Sequence, residues 1–234
     1  MVSGDPFTSL PGAMTPLDMS KAATQLYGHL RGFAFNKHKY RPYICPFHQL
    51  LELVPKNSTV LDVGCGSGIF AGLILSYRDP KRVTGVDSNP NSICIAQEMA
   101  QKRSGATSVL HFEHRDARLG LPEGQYDIVS LIDVLHHVPP KEQGNVIFQA
   151  AERVVPGGIL LYKDLVERPL WRAWANRVHD LILAREWIHY VPLSTVISWG
   201  TKCELLVEAT YFGNMLWYGH ECVVFRKPEK TRRR

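Results

Sequence analysis

The chain has 234 residues, 45% of them hydrophobic and 21% charged, enough to bury one substantial core without needing a second domain. No stretch reaches the roughly 18 apolar residues of a membrane span, and the first residues lack the basic start and apolar run of a signal peptide, so the expectation is a cytoplasmic protein with no membrane span. The net charge of +5 suggests nucleic acid as a partner, yet the six basic residues from Arg226 to Arg234, set against Glu229, carry the whole excess and leave the body formally neutral, while Cys45, Cys65, Cys94, Cys203 and Cys222 lack metal-like spacing and read as reduced thiols.

Residues 1–17 hold Pro6, Pro11, Pro16 and Gly12 with no period and read as a lead without regular structure. A helix is expected over 20–30 and a short one over 48–54, making 18–57 a helical cap. Between them Arg31, Lys37, Lys39 and Arg41 interleave with Phe33, Phe35 and Tyr40 in a stretch without an acid. The first strand, Thr59-Val60-Leu61-Asp62-Val63, runs into Gly64-Cys65-Gly66-Ser67-Gly68 and then a helix over 69–77. Glycines at alternate positions let the chain turn sharply and bring backbone N–H groups up to a ligand with no Cβ in between. The spacing departs from the dinucleotide fingerprint G-x-G-x-x-G: the third glycine arrives one residue early, and Ile69 stands where the fingerprint has glycine.

A β-rich run at 83–87 ends in Asp87, about 20 residues past the glycine turn, where an α/β nucleotide fold holds the carboxylate that accepts from both ribose hydroxyls. Helices over 90–103 and 140–153 alternate with strands near 108, 127 and 158, a pattern that means a parallel sheet covered on both faces. His111, Glu113 and His114 carry metal-ligating groups, but on a strand the first two share one face and His114 takes the other, so they make no complete set. Past the fifth strand, Leu170, Trp174, Val178, Leu181 and Ile182 recur at helical steps over 170–190. This helix either packs on the core, caps a pocket with its tryptophans and arginines, or lies at a membrane interface. Two closing strands at 204–211 and 221–225 flank Met215, Trp217, Tyr218 and His220, which pack a hairpin or floor a pocket; the basic tail, 227–234, reads as a solvated end.

The string from Val60 to Gly68 resembles motif I of the class I S-adenosylmethionine (SAM) dependent methyltransferases. The family's order continues through Asp116-Ala117, the run from Tyr126 to Val138 and the Pro156-Gly157-Gly158 turn, so that the resemblance spans about 58–164. It implies an α/β fold: a doubly wound, seven-stranded, mostly parallel sheet with strand seven antiparallel, in a single domain over 58–226. Helical cap elements lie before strand one and in an insertion at about 168–200. It further implies SAM as cofactor, with S-adenosylhomocysteine (SAH) as product. Asp62, Gly64, Cys65, Gly66 and Gly68 would hold it at the first loop, Asp87 and Ser88 after strand two, Asp116 and Ala117 after strand three, and Ile132 and Asp133 after strand four.

The implied reaction is direct attack of a nucleophile on the sulfonium-bound methyl group, without a covalent enzyme intermediate, so alignment and exclusion of water do most of the work. His137, and after it His136, are the candidate bases at the mouth behind strand four. Lys163 and Asp164 are further candidates by position. Tyr27, Arg31, Phe35, Lys163, Trp171, Trp174 and Tyr218 are the candidate substrate-pocket residues. The chain lacks the Asn/Asp-Pro-Pro-aromatic turn of adenine methylases, which argues against a nucleic-acid acceptor. Its Leu135-His136-His137-Val138-Pro139 turn is similar to that of methyltransferases of natural-product, quinone or lipid pathways, whose acceptors are free or linked to a carrier or lipid. A catalytically silent SAM-binding module and an NAD-dependent oxidoreductase are the alternatives; the latter needs the missing third glycine position.

Overall fold

Thr15 and Asp18 exchange hydrogen bonds between side chain and backbone and, with Pro16 in the first turn, start helix α1 (Pro16–Leu26) ahead of the expected position at residue 20. Pro16, counted as a loop residue in the sequence, serves as a helix starter because the first-turn N–H it lacks has no intrahelical partner in any case. The computed structural model describes residues 14–166, 189–216 and 218–229. Within these, α2 (Gly32–Tyr40) and α3 (Phe47–Glu52) complete the cap ahead of β1 (Thr59–Val63), α4 (Ile69–Arg78), β2 (Arg82–Asp87), α5 (Pro90–Gln101) and β3 (Leu110–His114). Then come β4 (Tyr126–Ile132), α6 (Pro140–Glu152), β5 (Val154–Leu165), α7 (Leu193–Lys202), β6 (Leu206–Met215) and β7 (Tyr218–Arg226). The expected helix over 170–190 lies outside the described residues apart from its last two positions, and so does the tail from 230.

The seven strands form one sheet in the order β3-β2-β1-β4-β5-β7-β6, with β7 antiparallel to both neighbours. The chain leaves β1 for β2 on one side and reaches β4 on the other, so the crevice beyond the carboxyl ends of β1 and β4 is the switch point where α/β sheets take ligands. Strands buried on both faces need apolar residues on both, and Val60, Leu61, Val63, Ile128, Val129 and Leu131 meet that demand at no more than 1% exposure. One core lies under α1, α3, α4 and α5, built on Val60, Phe70, Ile74 and Leu161; the other lies under α6 and α7, built on Leu61, Val146, Leu160 and Phe225.

Two helices differ from the expectation. α2 has no apolar stripe; Ser20 Oγ donates to the Lys39 carbonyl, and the buried His38 ring stacks on Tyr27 at 4.0 Å, so tertiary contacts hold it. α7 falls in and just past the stretch assigned to the cap insertion, and buries Leu193, Val196 and Gly200 against the second core.

Candidate active site

Gly64, Gly66 and Gly68 all have positive φ, at 70°, 54° and 79°. A side chain at Gly64 would strike Val134 at 2.5 Å and one at Gly68 would strike Phe112 at 2.8 Å, whereas a Cβ at Gly66 would meet nothing within 4 Å. The outer glycines allow close packing, and the middle one faces open space that a ligand can enter. Asp87 stands across the loop: its carboxylate accepts from Gly66 N at 2.8 Å through one oxygen and from Asn89 N at 2.8 Å through the other. Under the loop, Asp62 is 2% exposed and accepts from Ser130 Oγ at 2.7 Å. Burial pushes its carboxyl up to about 7, against the pull of the Ser130 bond.

The cap reaches the same loop. Tyr27, fully buried, donates its hydroxyl to the Ser67 carbonyl at 2.7 Å. His38 Nδ1 lies 2.6 Å from the Ala34 carbonyl, which can only accept, so the ring proton is on Nδ1 and Nε2 accepts from Ser67 Oγ at 2.5 Å. Burial lowers the His38 pKa and keeps the ring neutral in this role.

At the end of β4, Asp133 takes a left-handed backbone, φ 57°, that a non-glycine residue adopts only when its surroundings hold it there. Lys163 Nζ donates to one carboxylate oxygen at 2.5 Å and Arg41 from the cap to the other at 2.7 Å. Burial opposes the charge on Asp133, but Lys163 and Arg41 outweigh it and hold the carboxyl well below the usual range. One turn further on, His136, buried, donates from Nδ1 to Asp164 Oδ1, and Asp164 Oδ1 also accepts from Leu165 N at 2.8 Å. A carboxylate on Nδ1 fixes the tautomer and steadies the imidazolium if the ring takes a proton at Nε2. His136, His137, Asp133 and Arg41 line one pocket together with Leu165 and Tyr218, and Ile44 closes its apolar side.

The fold therefore brings together the glycine loop, Asp62, Asp87 and the Asp133 turn at the carboxyl edge. Ser88 is exposed beside Asp87, with its carbonyl 3.0 Å from His114 Nε2, and Ile132 ends β4 in register with Lys163. Asp116 forms a two-toothed pair with Arg118, and the Ala117 carbonyl accepts from Gln149. The candidate substrate-pocket residues fall in different places. Tyr27 belongs to the glycine loop, because its hydroxyl is committed to Ser67. Lys163 is wholly buried, its ammonium on Asp133. Arg31, exposed, and Phe35, half-buried, do not line the described pocket, which Tyr218 does. Trp171 and Trp174 lie outside the described residues. Of the two histidines, the exposed His137 is at the rim, and His136 holds the carboxylate partner. Sequence reasoning missed His38, Arg41, Ile44 and Leu165; the acid-free basic stretch was the signal for the first two. Among the described residues no group of three His, Cys, Asp or Glu side chains could hold a metal ion, and no helix is long and apolar enough to cross a membrane.

A glycine loop opposite a carboxylate lies at the switch point of an α/β sheet whose antiparallel β7 is inserted between β5 and β6, the architecture of a ligand-binding α/β fold. The model of the family described as "Methyltransferase domain" matches residues 35–207, more than half of the chain, which accordingly belongs to that family of SAM-dependent methyltransferases. Membership sets aside the oxidoreductase alternative.

A ubiquinone biosynthesis O-methyltransferase of Hydrogenovibrio crunogenus is 30% identical over 158 residues, covering 68% of this chain and 61% of that protein. The 27-O-demethylrifamycin SV methyltransferase of Amycolatopsis mediterranei is 35% identical over 126 residues, covering 52% and 45%. The chain thus spans about half the length of these curated relatives. Among solved structures, magnesium protoporphyrin IX methyltransferase of Synechocystis with bound SAH superposes with a TM-score of 0.65 at 17% identity, over 88% of this chain and 93% of that one. N-methyltransferase NodS of Bradyrhizobium japonicum with SAH gives 0.62 at 20%, over 89% and 99%. These two likenesses are of fold.

Proposed function

We propose that this protein transfers the methyl group of SAM to a hydroxyl oxygen of a small-molecule acceptor, with His136 as the base and Asp164 as its positioning residue. The observation that carries this reading is the Asp164-paired imidazole of His136 on the pocket that also holds the Asp133 turn. An oxygen acceptor is further supported by the names of the ubiquinone and rifamycin relatives.

When bound, SAM supplies an electrophilic sulfonium methyl group. The chain's own residues then hold the cofactor, align the acceptor, exclude water and remove a proton. Gly64, Gly66 and Gly68 would follow the cofactor with bare backbone, and Asp87 would take the ribose hydroxyls on the lone pairs beyond those used by Gly66 and Asn89. Ser88, Asp116 and Ala117 would border the adenine, and Asp62, Cys65, Ile132 and Asp133 the remainder of the site. His136 would accept the hydroxyl proton at Nε2, and the imidazolium would be steadied by Asp164. Ile44, Leu165 and Tyr218 would wall the acceptor, whether free or carried on a larger group.

The test is incubation of the protein and tritiated SAM with a panel of phenols, enols and hydroxyquinones. Label should appear in an acceptor, and His136→Asn should lower kcat about 10²-fold or more at unchanged SAM affinity. SAM binding with no label transferred to any hydroxyl compound would return the chain to a catalytically silent SAM-binding module.

A further inference from the structure

Neither ring nitrogen of His220 has a hydrogen-bond partner among the described residues, although the side chain is only 4% exposed. His29 and His48 each leave one buried nitrogen in that condition; His220 leaves both. Its position bears on the acceptor pocket from two sides. It faces Leu165 directly across the antiparallel β5–β7 ladder, and its ring stacks at 6.4 Å on Tyr218, two residues earlier on the same strand. Both of those neighbours line the pocket. Side chains alternate along strands, so His220 shares the sheet face of Tyr218 and Cys222, and opposite Cys222 on that face stands Lys163.

Burial first, and then the Lys163 ammonium, hold the His220 pKa down to about 3, so the ring is neutral and offers one N–H and one lone pair. Buried polar atoms without partners are unfavourable, and a hydroxyl that hydrogen-bonds them would relieve that cost. Among the described residues, Lys163 and Arg41 are both engaged with Asp133 and do not call for an anion.

We propose that His220 is an acceptor-binding residue whose ring receives a hydroxyl group of the acceptor. The inference rests on the methyltransferase reading of the pocket and deepens it by naming the polar group that the ring behind the Leu165–Tyr218 wall would read. A hydroxyl matches either ring nitrogen, because it accepts from the N–H or donates to the lone pair. A carboxylate matches the N–H alone and brings a charge that neither Lys163 nor Arg41, both engaged with Asp133, is free to meet, and an ammonium matches the lone pair alone.

The experiment uses protein labelled with [15N]histidine and loaded with SAH, titrated with phenol and, in parallel, with toluene, which has the same ring and no hydroxyl. The His220 ring signals should shift saturably with phenol and not with toluene. His220→Leu should weaken phenol binding about 10-fold, and His220→Gln, which keeps a donor and an acceptor, should retain most of it. His220→Leu should also raise the melting temperature by about 2–4 °C, since it removes orphaned polar atoms from a buried site. A ring indifferent to phenol, equal shifts with toluene, or a His220→Leu variant that melts lower while keeping phenol affinity would each make His220 a packing residue and overturn the proposal. Failure of SAH to bind would bring down the methyltransferase reading and this one with it, whereas SAH binding with a silent His220 ring overturns this inference alone.

Discussion

Asp87 ties the glycine loop through Gly66, and the proposed ribose contact would give the same carboxylate a second job. Asp87→Ala should weaken SAM binding by about 1–3 kcal/mol, the range for a stranded polar partner, as measured by calorimetry on a variant whose circular dichroism is unchanged. An unaltered dissociation constant would remove Asp87 from the cofactor site. Asp62 gives a pH signature. Its folded pKa near 7 lies above the ordinary 3.8, so the folded state holds the extra proton between those values and the apoprotein loses stability as pH rises through that window. Urea unfolding at pH 4.5 and pH 7.5 should show a drop of up to about 3 kcal/mol from this group, absent in Asp62→Asn. Parallel profiles for the two proteins would contradict the assignment. At this scale the sequence was legible where a residue's place follows from a strand pattern, as for Asp87 at the end of β2. It was not legible for His136 against His137: adjacent residues in one turn differ only in which of them meets Asp164, and that depends on the orientation of the turn on the folded sheet.

The strands and their following helices were readable because each is driven by its own pattern: apolar runs for strands buried on both faces, and 3.6-residue periodicity for α4, α5 and α6. α2 was not readable, because what holds it is a buried histidine on the glycine loop and an arginine on Asp133, contacts with residues far along the chain. α7 depends on fit instead. A Cβ on Gly200 would lie 2.5 Å from the buried Phe225 ring of β7. Gly200→Ala should therefore destabilise the protein by about 1–3 kcal/mol, even though alanine favours the helix by about 1 kcal/mol, because the clash is with a ring that has no room to move. Equal or higher stability in denaturant unfolding would mean that α7 sits further from β7 than described.

For the molecule as a whole, cofactor binding and folding are linked, since a site assembled from β1, β2, β4 and the cap exists only in the folded chain. SAH at a hundred times its dissociation constant should stabilise the protein by about 2.7 kcal/mol and raise its melting temperature by about 5–10 °C, while NAD at the same concentration should leave it unchanged. A shift with NAD and none with SAH would be incompatible with the family to which the chain belongs. The amino-acid sequence by itself determined the sheet, its strand count, the glycine loop and the acid after β2, because these follow from local patterns and from spacing along the chain. Only the tertiary structure decided that Tyr27 and His38 grip the glycine loop, that Arg41 and Lys163 meet on Asp133, that Asp164 belongs to His136, and that His220 lies buried with no partner among the described residues. Each of these joins residues from separate elements, and such a pairing is specified by how the helices and strands pack, which no interval in the sequence records.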